Sequence, residues 1–193
     1  MIDNRKNPKI EFEEKALYLD YAFNRGLDLK NRIIRLTEDI EDHSFDWFDT
    51  AITALETENR KAITMRISCY GGDVYGALGI IGRMQKSKCK INTEGYGKIM
   101  SAATAILAAG SGTRSMSRLA DFMHHETSYS VDGKHSDIQH EVKMSQNLSE
   151  KWCFLMFELT GVSKQYWATR GVGKDYYLTA EQCLGLNIVD EVF

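Results

Sequence analysis

Gly95-Tyr96-Gly97-Lys98-Ile99-Met100-Ser101-Ala102-Ala103-Thr104-Ala105-Ile106-Leu107-Ala108-Ala109-Gly110 places two glycines one residue apart, then a single serine, then a run of small apolar residues. That order predicts a strand, a tight turn, an exposed serine and a buried helix of small side chains. A serine at such a helix start meets free backbone N–H groups and the positive end of the helix dipole, both of which favour developing negative charge. A nucleophile there needs a base, an orienting acid and an oxyanion site from the rest of the chain.

Upstream, Ala62-Ile63-Thr64-Met65-Arg66-Ile67 reads as a strand stopped by Gly71-Gly72. A helix follows over about 74–86 with Leu78, Ile81 and Met84 facing inward, then a third strand over 89–96. Earlier still, Arg32-Ile33-Ile34-Arg35-Leu36 is a short strand. After the acidic loop Glu38-Asp39-Ile40-Glu41-Asp42, the three- and four-residue spacing of Phe45, Phe48, Ile52 and Leu55 predicts an amphipathic helix. Residues 1–27 form a charge-rich arm with an aromatic cluster at Tyr18, Tyr21 and Phe23. Residues 28–193 make a single domain. Alternating strands and helices predict an α/β core with right-handed parallel crossovers.

Downstream, strands are expected at 114–116 and 120–125, with weak alternation from Thr127 to Val131. A long helix opens at Ser136-Asp137 and stops at Gly161. Its apolar stripe is Ile138, Val142, Leu148, Trp152, Leu155 and Leu159, and it is long enough to project and pack on another subunit. A serine-capped helix over 163–170, a threonine-capped helix from Thr179 and a last strand at Asn187–Val189 complete the chain.

The 193 residues are 43% hydrophobic and 26% charged, with a formal net charge of −3 and no basic face, which argues against a nucleic-acid partner. No apolar run reaches membrane-spanning length, and Met1 to Pro8 lack the apolar core of a signal peptide, so a cytoplasmic location is expected. Cys69, Cys89, Cys153 and Cys183 are widely spaced. They predict small buried hydrophobes rather than a metal site or a disulfide framework, and no cofactor is expected.

A serine hydroxyl becomes nucleophilic when an adjacent base takes its proton, and histidine suits that task near neutral pH. His43, His135 and His140 read as solvated surface residues. His124-His125 ends an apolar strand, so one ring points to the core side and the other away. For the acid, Asp175, Asp73 and Asp132 all fit, and spacing does not choose among them. Gly71-Gly72 offers side-chain-free backbone for an oxyanion site. Lys98 permits a serine–lysine dyad but reads as an exposed lysine. Gly95-x-Gly97 lacks the third glycine and the acidic residue of a dinucleotide fingerprint.

Six blocks in order resemble the proteolytic subunit of the Clp protease (ClpP) family, from about Leu29 to Val192. Lys30 to Thr37 is similar to the family's first strand. Ser68-Cys69-Tyr70-Gly71-Gly72 stands for N-S-P-G-G, and Gly97 to Thr104 for G-Q-A-A-S-M-G-A. Met123-His124-His125 matches M-I-H, and Lys174 to Gln182 matches R-D-x-F-L-S-A-x-E-A; the closing G-L-V-D is similar to Gly185 to Asp190. The resemblance implies a ClpP/crotonase-like spiral of β-β-α units with a projecting handle helix over about 128–160. It implies Ser101 as nucleophile, His125 as base, Asp175 as acid, and the backbone N–H groups of Gly72 and Ala102 as oxyanion donors. The implied activity is peptide-bond hydrolysis on peptides or unfolded proteins inside a homo-oligomeric chamber of heptameric rings.

Four departures shape the expectation. Ile99, Met100 and Ala103 replace smaller residues around the serine, so a crowded turn is expected. Glu126-Thr127 replaces Q-P after the base, and Gly173-Lys174 replaces the D-R pair before the acid. The positions matching the family's aromatic docking pocket for a AAA+ unfoldase are Thr64, Arg66, Lys86 and Ser115, so standard docking is not expected. Two alternatives remain open: an inactive ring-forming structural subunit, and a crotonase-type acyl-CoA enzyme. A membrane signal-peptide peptidase of related fold does not fit a chain without a membrane segment.

Overall fold

A computed structural model describes residues 13–17, 20, 24, 26–128 and 130–193. The aromatic cluster at Tyr18, Tyr21 and Phe23 lies outside the described residues, as does most of the arm. From Gly26 onward the chain builds one mostly parallel sheet with helices packed on it. Strands β1 (Leu27–Asp28), β2 (Ile33–Leu36), β3 (Ile63–Cys69), β4 (Ile91–Met100), β5 (Arg114–Met116) and β8 (Glu191–Val192) follow one another across it. Strands β6 (Asp121–His124) and β7 (Tyr176–Leu178) branch from β4.

Helices α1 (Ser44–Glu58) and α2 (Val74–Gln85) are the crossovers between β2, β3 and β4. Phe48, Ile52 and Leu55 of α1 are fully buried, as the three- and four-residue spacing requires. Phe45 is 36% exposed and lies over Gly79 of α2, where a Cβ would come within 2.9 Å of its ring. On α2 the buried face is Ala77, Ile80, Ile81 and Met84; Leu78 only flanks it.

The two crossover helices are tied together by Glu56. It accepts from Arg83 Nη2 at 2.9 Å, from Ser87 Oγ at 2.7 Å and from the Lys88 backbone N–H at 2.7 Å. Burial alone would raise its carboxyl, but the three donors and the Arg83 charge outweigh that and bring its pKa to about 2. A carboxylate depressed from 4.5 to about 2 contributes stability that is present above pH 4.5 and lost as pH falls through 2. Its side chain is only 9% exposed, so the shift corresponds to about 3 kcal/mol. Glu56→Gln should therefore lower urea stability by about 2–3 kcal/mol at pH 7, with the gap closing as pH is lowered from 4.5 towards 2. A gap independent of pH would assign Glu56 no charge-dependent role.

The tight turn expected at Gly95-Tyr96-Gly97 is instead a bulge inside a continuous strand. Between the pairs Ile67–Gly95 and Cys69–Ile99, β3 advances two residues while β4 advances four. Gly97 takes φ +59 there, a left-handed conformation that costs glycine least. The bulge is also where β4 changes neighbours: Thr93 to Gly95 pair with β5, and Lys98 to Met100 pair with β6. Periodicity could not signal this, because the strand continues past the bulge on a new partner, from Lys98 onward.

Helix α3 (Ala103–Ala108) is short and wholly buried. Helix α4 (His135–Thr160) buries only Trp152, Met156 and Thr160, and ends at Gly161 in the left-handed conformation (φ +75). Helix α5 (Lys164–Arg170) is capped by Ser163, and α6 (Ala180–Gly185) by a capping box of Thr179 and Gln182. Around the weak alternation at Thr127 to Val131, the described residues hold no strand; Tyr129 lies outside them. The strand expected at Asn187–Val189 is displaced to β8. Asn187 and Ile188 donate to Leu184 and Cys183 carbonyls and round off α6, while Ile188 and Val189 plug the core.

Candidate active site

Ser101 follows the last residue of β4 and precedes α3. Its φ of +51 is left-handed, a conformation a non-glycine residue holds only when its surroundings impose it. Here both backbone groups are engaged. The Ser101 N–H donates to the Met123 carbonyl at 2.8 Å, extending the β4–β6 ladder, and its carbonyl accepts from the Thr104 N–H at 3.0 Å and from Thr104 Oγ1 at 2.5 Å.

Of the larger residues expected to crowd the serine, Ile99 lies on the buried face of β4, its Cδ1 over Gly95, where a Cβ would come within 3.0 Å. Met100 is half-buried at the end of β4, and Ala103 is buried in the first turn of α3. Ile99 is thus accommodated by a glycine four positions earlier.

His125 Nε2 lies 2.6 Å from Ser101 Oγ. Strand alternation separates it from His124, whose Nε2 lies 2.9 Å from the Trp167 carbonyl. That carbonyl can only accept, so this nitrogen carries the proton. Burial holds His124 below the usual imidazole range, with the His125 charge acting the same way, against the Trp167 bond. His124 is therefore a neutral, structural ring edge-on to Trp167. His43, His135 and His140 are exposed.

The three candidate acids separate by position. Asp73 caps α2, accepting from the Gly76 N–H at 2.6 Å. Asp132 is exposed in the loop before α4. Asp175 immediately precedes β7, whose antiparallel register on β6 runs Phe122–Leu178, Met123–Tyr177 and His124–Tyr176. One further step sets Asp175 opposite His125. Its carboxylate is exposed, and among the described residues no hydrogen bond joins it to the His125 ring. The two candidate residues are thus brought onto neighbouring strand ends.

Gly71 and Gly72 lie against the serine turn. Gly71 (φ +101) has no room for a side chain, because a Cβ would stand 2.7 Å from the Met100 carbonyl oxygen and from Ser101 Cβ, and 2.8 Å from the Ala102 nitrogen. Gly72 (φ +132) is pressed on Ile40, held by bonds from the Ile40 N–H to the Gly71 carbonyl and from the Asp73 N–H to the Ile40 carbonyl, each 2.7 Å. Among the described residues, neither the Gly72 nor the Ala102 N–H donates to a protein acceptor. Lys98 is engaged elsewhere, its Nζ 3.4 Å from the centre of the Tyr70 ring.

A cleft of about 640 Å³ opens beside His125, walled by Thr127, Trp152, Phe154, Trp167 and Val172. All four cysteines are free thiols; Cys69, Cys89 and Cys183 are buried and Cys153 is half-buried on the cleft side of α4. Burial pushes the Cys183 thiol up to about 12. Sequence reasoning missed Glu126, whose carboxylate Oε1 accepts from the Gly173 N–H at 3.0 Å across the loop that leads to Asp175. The substitution at that position was visible, but the distance between the two segments was not.

A family model for Clp protease matches residues 22–193. Two proteins described as ATP-dependent Clp protease proteolytic subunit, from two strains of Bacteroides fragilis, are each 29% identical to the chain over 189 residues. These residues span 96% of the chain and 90% and 84% of the two relatives. The mostly parallel sheet with its helices is consistent with the ClpP fold. The chain belongs to the Clp protease family, and that membership supports a peptidase.

Proposed function

We propose that the protein is a serine endopeptidase that hydrolyses peptide bonds through Ser101, His125 and Asp175 within an oligomeric ring. The observation that carries this reading is the 2.6 Å approach of His125 Nε2 to the hydroxyl of a serine held at positive φ. In the first step Ser101 Oγ attacks the scissile carbonyl carbon and its proton passes to His125 Nε2. The carbonyl oxygen, now anionic, takes the free N–H groups of Gly72 and Ala102; each such donor is worth about 3–4 kcal/mol of barrier. Collapse expels the amine, protonated by His125, and leaves an acyl-serine that water then hydrolyses with His125 as base.

Asp175 completes the set when its carboxylate accepts from His125 Nδ1–H, fixing the tautomer that leaves Nε2 free to take a proton. The apolar walls of the cleft beside His125 suit a substrate side chain. Along α4, the exposed Met144, Phe154 and Phe157 suit burial between subunits.

At the positions where relatives are expected to dock a hydrophobic unfoldase loop, Arg66 pairs with Glu94 at 2.8 Å and Lys86 is exposed. A loop placed there loses apolar burial of about 1.5–3 kcal/mol per large side chain. The protein is therefore proposed to work without a standard Clp unfoldase, and stoichiometric capture of a cognate Clp ATPase would overturn that part.

The central reading is tested by intact mass after treatment with a fluorophosphonate. One adduct is expected on wild type and none on Ser101→Ala or His125→Ala. Unmodified wild type would favour the inactive ring-forming subunit or the acyl-CoA enzyme.

A further inference from the structure

The acid-bearing segment is poorly secured by its own sequence. Between α5 and β7 it reads Gly171-Val172-Gly173-Lys174-Asp175, with Gly173 at φ +68 and Val172 to Asp175 all exposed. Few apolar contacts hold such a loop in one place. Among the described residues two hydrogen bonds from outside the loop do, and both come from Glu126. Its backbone N–H donates to the Gly171 carbonyl at 3.3 Å, and its side-chain Oε1 accepts from the Gly173 N–H at 3.0 Å. Gly171 in turn lies so close to the base that a Cβ would stand 2.6 Å from His125 Cα.

From this geometry we infer that Glu126 is a positioning residue: it clamps the 171–175 loop against His125 and so holds Asp175 within reach of the imidazole. This rests on the serine-peptidase reading above. The clamp spans the segment at two alternate residues, Gly171 and Gly173, leaving Asp175 two residues further on at the start of the β7 ladder. A carboxylate acceptor gives a stronger bond than a neutral one, which suits Gly173, where a Cβ would meet open space.

The clamp predicts a pattern across two substitutions. Glu126→Ala removes the acceptor, and kcat for a fluorogenic peptide should fall roughly ten- to a hundredfold with KM little changed. Glu126→Gln keeps an acceptor oxygen and should restore most of the rate. The two variants together separate positioning from charge. The titratable and charged groups around His125 are Glu126 on its own strand end, Lys174 and Asp175 on the facing loop, and buried His124 beside it. Glu150 and Lys151 from α4, and Lys164 from α5, line the same cleft.

A rate lost in Glu126→Ala and restored in Glu126→Gln would assign the effect to the acceptor oxygen rather than to the charge. Equal losses in both variants would mean that Glu126 acts only through its charge, and the inference would fall.

A second readout does not depend on activity. Amide exchange at Gly173 should quicken roughly tenfold or more in Glu126→Ala and stay slow in Glu126→Gln. Unchanged Gly173 exchange in Glu126→Ala overturns the clamp even if the enzyme is active. A protein without peptidase activity that still shows the exchange pattern keeps the clamp and sinks the peptidase reading.

Discussion

Ser101→Ala should leave a folded protein that cleaves fluorogenic peptides roughly 10⁵- to 10⁶-fold more slowly than wild type. The size of the effect follows from what remains. Every bond-making step passes through Oγ, so without it only the two N–H donors and the substrate cleft act, and these alone accelerate hydrolysis by roughly 10³–10⁴ over water. The fold should tolerate the change. The Ser101 backbone is fixed by Met123 and Thr104 rather than by its own side chain, and alanine loses only the contact with His125. Circular dichroism and native mass on the same preparation would check that the variant is folded. If this variant kept more than about a hundredth of wild-type kcat/KM, the nucleophile would have to be sought elsewhere.

The largest structural effect is expected at Gly72. A Cβ there would stand 2.2 Å from the Ile40 carbonyl oxygen, 2.8 Å from its nitrogen and 3.0 Å from its carbonyl carbon, all of them backbone atoms. No side-chain rotation relieves that overlap. At φ +132 the substitution adds backbone strain of its own. Together with the steric displacement, the cost is about 3–5 kcal/mol. Gly72→Ala should therefore lower the urea midpoint sharply. The site should suffer as well, because moving this segment off Ile40 displaces the Gly72 N–H proposed as an oxyanion donor. Wild-type midpoint and activity in this variant would mean that the 40s loop yields to the 71–73 segment, and that the two bonds between them do not fix the proposed donor.

Much of this architecture was legible because it depends on local chemistry. The buried stripe of α1 follows from the spacing of Phe48, Ile52 and Leu55. The Thr179–Gln182 capping box announces α6, and Gly161 ends α4 at positive φ. The candidate site was legible in part for the same reason. A serine before a small-residue helix, paired glycines after a strand and a histidine at a strand end are each local patterns.

What sequence could not supply was relative placement. The bulge at Tyr96–Lys98 depends on β4 exchanging β5 for β6, a tertiary event with no periodic signature. From the residues alone Asp73, Asp132 and Asp175 were equivalent, and only the family resemblance singled out Asp175; that Asp73 caps α2 and that β7 pairs with β6 are tertiary facts with no local signal. The shift of the last strand has a similar origin. Asp190, whose carboxyl is held down chiefly by its bond to Arg114, anchors that turn. The chain then starts pairing at Glu191, four residues after the expected start at Asn187.

The pairing of β6 with β7 also bears on how the chain can evolve. Buried Phe122 stands opposite buried Leu178. Slipping the ladder by one residue would turn Leu178 out of the core. That apolar pair, rather than the number of residues joining α5 to β7, determines which residue faces His125. Gly171 is closed to substitution, since a Cβ there would stand 2.6 Å from His125 Cα, so change in the loop is confined to what leaves that approach intact. The register of the strand that follows Asp175 is inherited from two hydrophobic side chains.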